Sequence, residues 1–175
     1  MYQVGDLIVY GPEGVCRVAA IGPLDMRGAR KDTVYYTLTP VYREGKVFAP
    51  ADAAVYSRPI MTGEEANALI DRIPEIPGEV YENSNPRLLN EHYQAYLKSY
   101  DCEDLVRLIR AIHAKGRSAA DKGRHLGQVD ERAMKRAEVM LHGELAAALG
   151  MEMDQVKDYI AARVEALEKK AAKKS

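Results

Sequence analysis

Few side chains in this sequence could do covalent or metal chemistry, and they do not gather. The four histidines (His92, His113, His125 and His142) lie 21, 12 and 17 positions apart, so none has a ligand partner at helical i+4 spacing. His142-Gly143-Glu144 is not the HExxH pattern of a zinc hydrolase. Cys16 and Cys102 are 86 residues apart, which makes neither a CxxC clip nor a disulfide framework. A reactive thiol needs a local positive field. Arg17 follows Cys16, but neighbours in a strand face opposite sides. Cys102 sits in the acidic run Asp101-Cys102-Glu103-Asp104, which disfavours a thiolate. Both cysteines are expected to be small buried hydrophobes. No GxGxxG, phosphate-binding GxxxxGKS/T or GxSxG pattern occurs. The chain therefore reads as non-enzymatic, with no cofactor and no metal.

What remains is the chemistry of recognition. Residues 105–125 hold Arg107, Arg110, Lys115, Arg117, Lys122 and Arg124, six positives against the single acid Asp121, a net of +5. His113 and His125 lie beside them. Such a cluster either offsets the negative pole of a helix end in solvent or contacts phosphates. Phosphate contacts would hold nucleic acid in register without reading its sequence. The whole chain has 25 Lys+Arg against 26 Asp+Glu, a formal net charge of −1. That excludes coating of nucleic acid by bulk charge and leaves a local patch open. The other recognition feature is tyrosine, with 11 Tyr against one Phe and no Trp. Tyr35 and Tyr36 are strand neighbours, so only one is expected in a core. With Tyr10, Tyr42 and Tyr56 they are either packing residues with wet hydroxyls or an aromatic sheet surface for a protein partner.

The elements that must position these residues fall into two halves. Residues 1–60 read as β. Leu7-Ile8-Val9-Tyr10, Val15–Ile21, Thr33–Thr39, Val47-Phe48-Ala49-Pro50 and Val55–Arg58 are short β-rich runs between Gly/Pro turns. Five such strands suggest a small twisted barrel or half-barrel. Residues 61–175 read as an all-α bundle of four or five helices. Thr62-Gly63-Glu64-Glu65 is a capping box. Asn85-Pro86 is a cap followed by proline at the first helical position, Asp101 caps the next helix, and Gly150 stops a long one. Lys115–Val129, with three glycines and many charges, reads as a loop, and Asp130 as the cap of the helix after it. The Lys-rich end, 169–174, is expected to fray into solvent. The fold class is thus α+β in two domains. At 47% apolar and 29% charged, 175 residues suffice for both cores. The apolar runs are too short for a membrane span, and MYQVGDLIVYG does not read as a signal peptide. A cytoplasmic monomer is the expectation.

These residues resemble a known family. Val4-Gly5-Asp6-Leu7-Ile8-Val9-Tyr10, then Gly14-Val15, Val18–Ile21, Tyr35-Tyr36-Thr37-Leu38 and Val47-Phe48-Ala49-Pro50 follow the N-terminal pattern of the CarD/CdnL transcription regulators in order. Tyr96–Asp101, Leu105–Ile112, Asp130-Glu131-Arg132 and Leu141–Leu149 are similar to that family's helical part. The resemblance implies a Tudor-like domain over residues 1–60 that binds the RNA polymerase β subunit. It implies a helical domain over 61–175 that contacts promoter DNA and changes open-complex stability. A protein-binding adaptor without DNA contact is the alternative. The surface expected for the polymerase comprises Val34, Tyr36, Lys46 and Phe48. The surface expected for DNA comprises Asn85, Pro86, Arg87, Arg117, Lys122 and Arg124. Many members carry a Trp wedge after an Asn at the first DNA-facing helix, and here Pro86 falls in that place. Leu24 and Phe48 stand where some members have Arg for the polymerase.

Overall fold

The computed structural model describes residues 1–174. They divide into two compact units, one spanning Met1–Met61 and one beginning at Thr62. In the first unit the β-rich runs become β1 (Leu7–Tyr10), β2 (Val15–Gly22), β3 (Tyr35–Pro40), β4 (Val47–Pro50) and β5 (Ser57–Pro59). All four pairings are antiparallel, in the order β4-β3-β2-β1-β5. The register slips by one residue between Val18 and Ala20, a bulge that bends the longest strand. Strands β4 and β5 are the two edges, so hydrogen bonding leaves the sheet open, which of the two expected forms is compatible with a half-barrel and not with a closed barrel.

Alternation sets the core of this unit. Ile8, Cys16, Val18, Tyr36, Leu38 and Ala49 point to one side and are buried, with Tyr2, Tyr10, Ile21 and Val47 packed around them. The ring of Tyr2 meets that of Tyr36 edge-on at 5.6 Å. Tyr35 faces the other way and is buried as well, at 7% exposure, against the expectation that one of the pair would stay outside. The loop after β2 covers it: the Arg30 N–H donates to the Tyr35 hydroxyl at 2.9 Å.

The second unit holds α1 (Gly63–Arg72), α2 (Pro86–Leu97), α3 (Cys102–Asp121), α4 (Gln128–Leu149) and α5 (Val156–Lys173). Thr62 and Glu65 exchange both bonds of the capping box. Asn85 and Asp101 cap α2 and α3 through their side chains, and Gly150 ends α4 in the left-handed conformation at φ 66°. The apolar stripes of these helices bury Ile70, Leu108, Ile112, Leu145 and Val156 completely or nearly so. Each such side chain is worth about 1.5–3 kcal/mol.

Two expectations are corrected here. Helix α3 does not stop before Lys115 but runs about two turns further, to Asp121, so nearly half of the expected loop is helix. Gly116 lies inside it because a Cβ there would come within 3.2 Å of the Leu126 side chain, which folds back on the helix. Asp130 is not the cap of α4. The helix starts two residues earlier, after Gly127, and Asp130 is drawn inside to 4% exposure.

The connection between α1 and α2 is pinned within its unit. Ile76 is buried at 2% exposure. The Arg110 guanidinium of α3 donates to the carbonyls of Ile73 and Ile76, the second at 2.9 Å. The chain then passes so close to α3 that a Cβ on Gly78 would lie 2.5 Å from the Ala111 nitrogen. In the last turn of α1, Asp71 makes a two-pronged ion pair with Arg163 of α5, at 2.6 and 3.0 Å.

Candidate functional site

Two surfaces gather the candidate residues, one in each unit. The first is the β4 edge. The Ala51 N–H donates to the Val34 carbonyl at 2.8 Å, which marks Val34–Ala51 as a hydrogen-bonded pair. In an antiparallel ladder such pairs alternate. The register Tyr36↔Ala49 and Leu38↔Val47 therefore carries the internal bonds, and the N–H and C=O of Phe48 point away from the sheet. The Phe48 ring is 39% exposed opposite Thr37 on the outer face. Lys46 is exposed just before the strand, on the same side by alternation. Val34 is exposed at the far end of the β3–β4 ladder. Tyr36 does not join this surface, because the same alternation that exposes Phe48 turns Tyr36 into the core. Leu24 lies half-buried in the loop between β2 and β3.

The second surface is the end of α3. Of its six cations, three are engaged in the unit's own structure. Arg107 pairs with Glu103 at 3.0 Å and Arg110 holds the α1–α2 connection. The Lys115 ammonium donates to Asp130 at 2.9 Å, and Asp130 also accepts from the Tyr93 hydroxyl at 2.5 Å. Burial first, and then this bond to Asp130, push the Tyr93 phenol well above its ordinary value. That leaves Arg117, Lys122 and Arg124, all exposed and without an ion pair among the described residues.

A specific turn holds the last two. Gly123 takes the left-handed conformation at φ 69°. The Arg124 N–H donates to the Ala119 carbonyl at 2.7 Å and the Gly123 N–H to that of Ala120 at 3.0 Å. This crossed pair is a Schellman cap, in which glycine avoids the Cβ penalty. Lys122 and Arg124 flank it. They line a pocket of about 160 Å³ together with Lys115, Ser118, Ala119, His125, Leu126, Asp130 and Glu82. Sequence reasoning missed Ser118 and Glu82. Helical spacing from Lys115 would have found Ser118, but only once α3 was known to extend that far.

The start of α2 is built as its cap signal predicts. The Asn85 side chain accepts from the Arg87 N–H at 3.0 Å, so it serves as a cap. Pro86 is the first helical residue and is exposed, next to Leu88 at 40% exposure. Arg87 lies 3.7 Å from Glu91 with both side chains largely in solvent, a pair worth little. Neither cysteine is at a surface. Burial pushes the Cys16 thiol up to about 11, and Cys102 donates to the buried Glu144 carboxylate at 3.2 Å. The His92 ring stacks on Tyr81 at 3.7 Å.

The first unit is thus a small antiparallel sheet with a free edge, a form suited to strand addition. Residues 2–58 match the family described as the CarD-like/TRCF RID domain. The N-terminal unit is similar to that family, as the order of its strand motifs suggested, and the family is one of interaction domains, not of enzymes. No curated protein is similar enough to the chain to match it. Among the described residues no helix is long and apolar enough to cross a membrane.

Proposed function

We propose that the chain is a transcription regulator that binds the RNA polymerase β subunit through its N-terminal unit. The observation that carries this reading is the outward-facing backbone of Phe48 on the edge of a CarD-like/TRCF RID domain. An extended segment of the partner would pair with β4, with Phe48, Lys46 and Val34 supplying side-chain selectivity. The strand order and the bulge in β2 support a Tudor- or SH3-like half-barrel as the platform. The helical unit, 62–175, would contact promoter DNA through Arg117, Lys122 and Arg124, and binding at both ends would shift open-complex stability. Pull-down of the polymerase β protrusion and lobe region by the full chain tests the central claim. Loss of capture with Phe48→Pro is the expected result, and equal capture by both chains overturns it.

A second reading keeps the polymerase and drops the DNA. It is favoured by the internal use of Arg107, Arg110 and Lys115, which halves the cationic cluster. Band-shift titration at two salt concentrations separates the two readings, since only phosphate contacts give a steep salt slope.

A further inference from the structure

The pocket at the end of α3 has a composition that the DNA reading alone does not explain. A patch that merely attracts a polyanion needs exposed cations on a convex surface. Here two unpaired cations border a concavity. Lys122 and Arg124 are held on either side of Gly123 by the Schellman bonds, so their stems are fixed at the root. Ser118 lies one helical turn before Lys122 on the same face of α3 and adds a neutral donor. Lys115 also lines the pocket, but its charge is answered by Asp130 at 2.9 Å. The free charge of the pocket is therefore that of Lys122 and Arg124, set against the negative pole of the α3 C-terminus and one opposing side chain, Glu82. Glu82 is exposed, belongs to the segment leading into α2, and makes no ion pair there.

The volume of about 160 Å³ is well above the roughly 10–15 Å³ that a single water needs. That is room for one tetrahedral oxyanion with part of its hydration. A planar carboxylate offers two oxygens, whereas a tetrahedral phosphate offers a separate oxygen to each of Lys122, Arg124 and Ser118.

We propose that this pocket seats a single phosphate group, gripped by Lys122, Arg124 and Ser118, and that Glu82 is a built-in competitor that keeps the grip weak. The inference rests on the reading of the helical unit as a phosphate-contacting surface, and it names the atoms that make the contact. The phosphate is either one from a nucleic-acid backbone or a free one. Glu82 matters in both cases. Its carboxylate lowers the potential felt by any anion that enters, so its neutralisation strengthens binding instead of weakening it. A generic patch of exposed cations has no such residue.

The test is an NMR titration of the full chain with sodium phosphate at fixed ionic strength, with sodium acetate as the planar control. Saturating shifts confined to amides of about residues 118–126 are expected with phosphate and not with acetate. Glu82→Gln should tighten phosphate about fivefold, and Lys122→Gln should weaken it about tenfold. A response that does not saturate, that acetate reproduces, or that Glu82→Gln leaves unchanged overturns the seat. The same variants are then titrated with duplex DNA. Tighter DNA binding by Glu82→Gln assigns the phosphate to the backbone. A saturating phosphate response with no DNA binding assigns it to free phosphate, and the DNA reading fails while the seat stands. DNA binding with no saturating phosphate response sinks the seat and leaves the DNA reading intact.

Discussion

Strand β4 and the last turn of α3 both present polar groups to solvent, but of different kinds. On β4 they are the N–H and C=O of Phe48, fixed in direction by the bonds of Ala49 and Val47 to β3. At the end of α3 they are the charges of Arg117, Lys122 and Arg124, on long stems. Backbone groups act over hydrogen-bond distance and demand a matching strand. Charges act over about a Debye length and accept any anion of the right density. The difference teaches that an edge backbone specifies register in what it pairs with, whereas a set of mobile charges does not. It also separates what holds each unit together. The β unit keeps its formal charges outside its core, whereas the helical unit buries Asp130 and Glu144 at 4% and 2% exposure.

The largest effect should come from breaking that last contrast. Asp130→Ala strands the Lys115 ammonium and removes the acceptor of Tyr93, and is expected to cost the helical unit about 3–5 kcal/mol. Urea unfolding followed by NMR signals from each unit should show the loss in the second unit alone. Equal loss in both units would contradict the separation.

Next is a proline pair on β4. Phe48→Pro removes an N–H that the sheet does not use, a place where edge strands tolerate proline. The unit should stay folded while the polymerase β fragment binds about 10–100-fold more weakly, since a partner carbonyl is left without a donor. Ala49→Pro removes an internal bond at a buried position and should unfold the unit. If both prolines are equally harmful to folding, the assignment of inward and outward bonds is wrong.

The charge side of the comparison is sharpened by salt. Replacing Arg117, Lys122 and Arg124 together by Gln should weaken DNA binding about tenfold at physiological salt. It should also flatten the slope of log K against log salt by about 2–3. Arg107→Gln should leave that slope unchanged, because its charge is already answered by Glu103.

The smallest effects are on pH, and they run in opposite directions in the two units. The Cys16 thiol, pushed up by burial from 9.0 to about 11, stays protonated in the folded β unit while the unfolded chain already ionises. Stability from Cys16 is therefore full below pH 9.0 and lost as pH rises toward about 11. In the helical unit burial lowers His142 below its ordinary 6.5, with Glu138 opposing and Lys157 adding to the shift. Its contribution is full above pH 6.5 and lost as pH falls below it, where the unfolded state takes up the proton first. Urea midpoints at pH 5, 7 and 10 should show the helical unit weakening at the acid end and the β unit at the alkaline end. His142→Gln should remove the first trend and Cys16→Ala the larger part of the second, the raised Tyr10 phenol supplying the rest.

The strands, the caps and the family of the first unit were legible because each is a local signal. Thr62–Glu65, Asn85-Pro86 and Gly150 carry their geometry within four residues. The failures lie where a distant residue decides. Gly116 reads as a loop residue until Leu126 is seen folding back on it. Asp130 reads as a cap until Lys115 and Tyr93 draw it inside. Tyr35 and Tyr36 look like one core and one surface residue until the loop bearing Arg30 covers the second face. The six cations of 105–125 look equivalent in sequence, and only tertiary partners divide them into three engaged and three free.

The shortness of β4 has a consequence for the life of the chain at high concentration. An open sheet edge is a template for copies of itself, and long flat edges seed fibres. This one runs only from Val47 to Pro50, with Gly45 and Lys46 before it and a proline that has no N–H at its end. An edge this short offers few rungs for a second copy of the chain to zip against. The same four residues that leave one outward rung on this edge thus also limit how far a copy could pair along it.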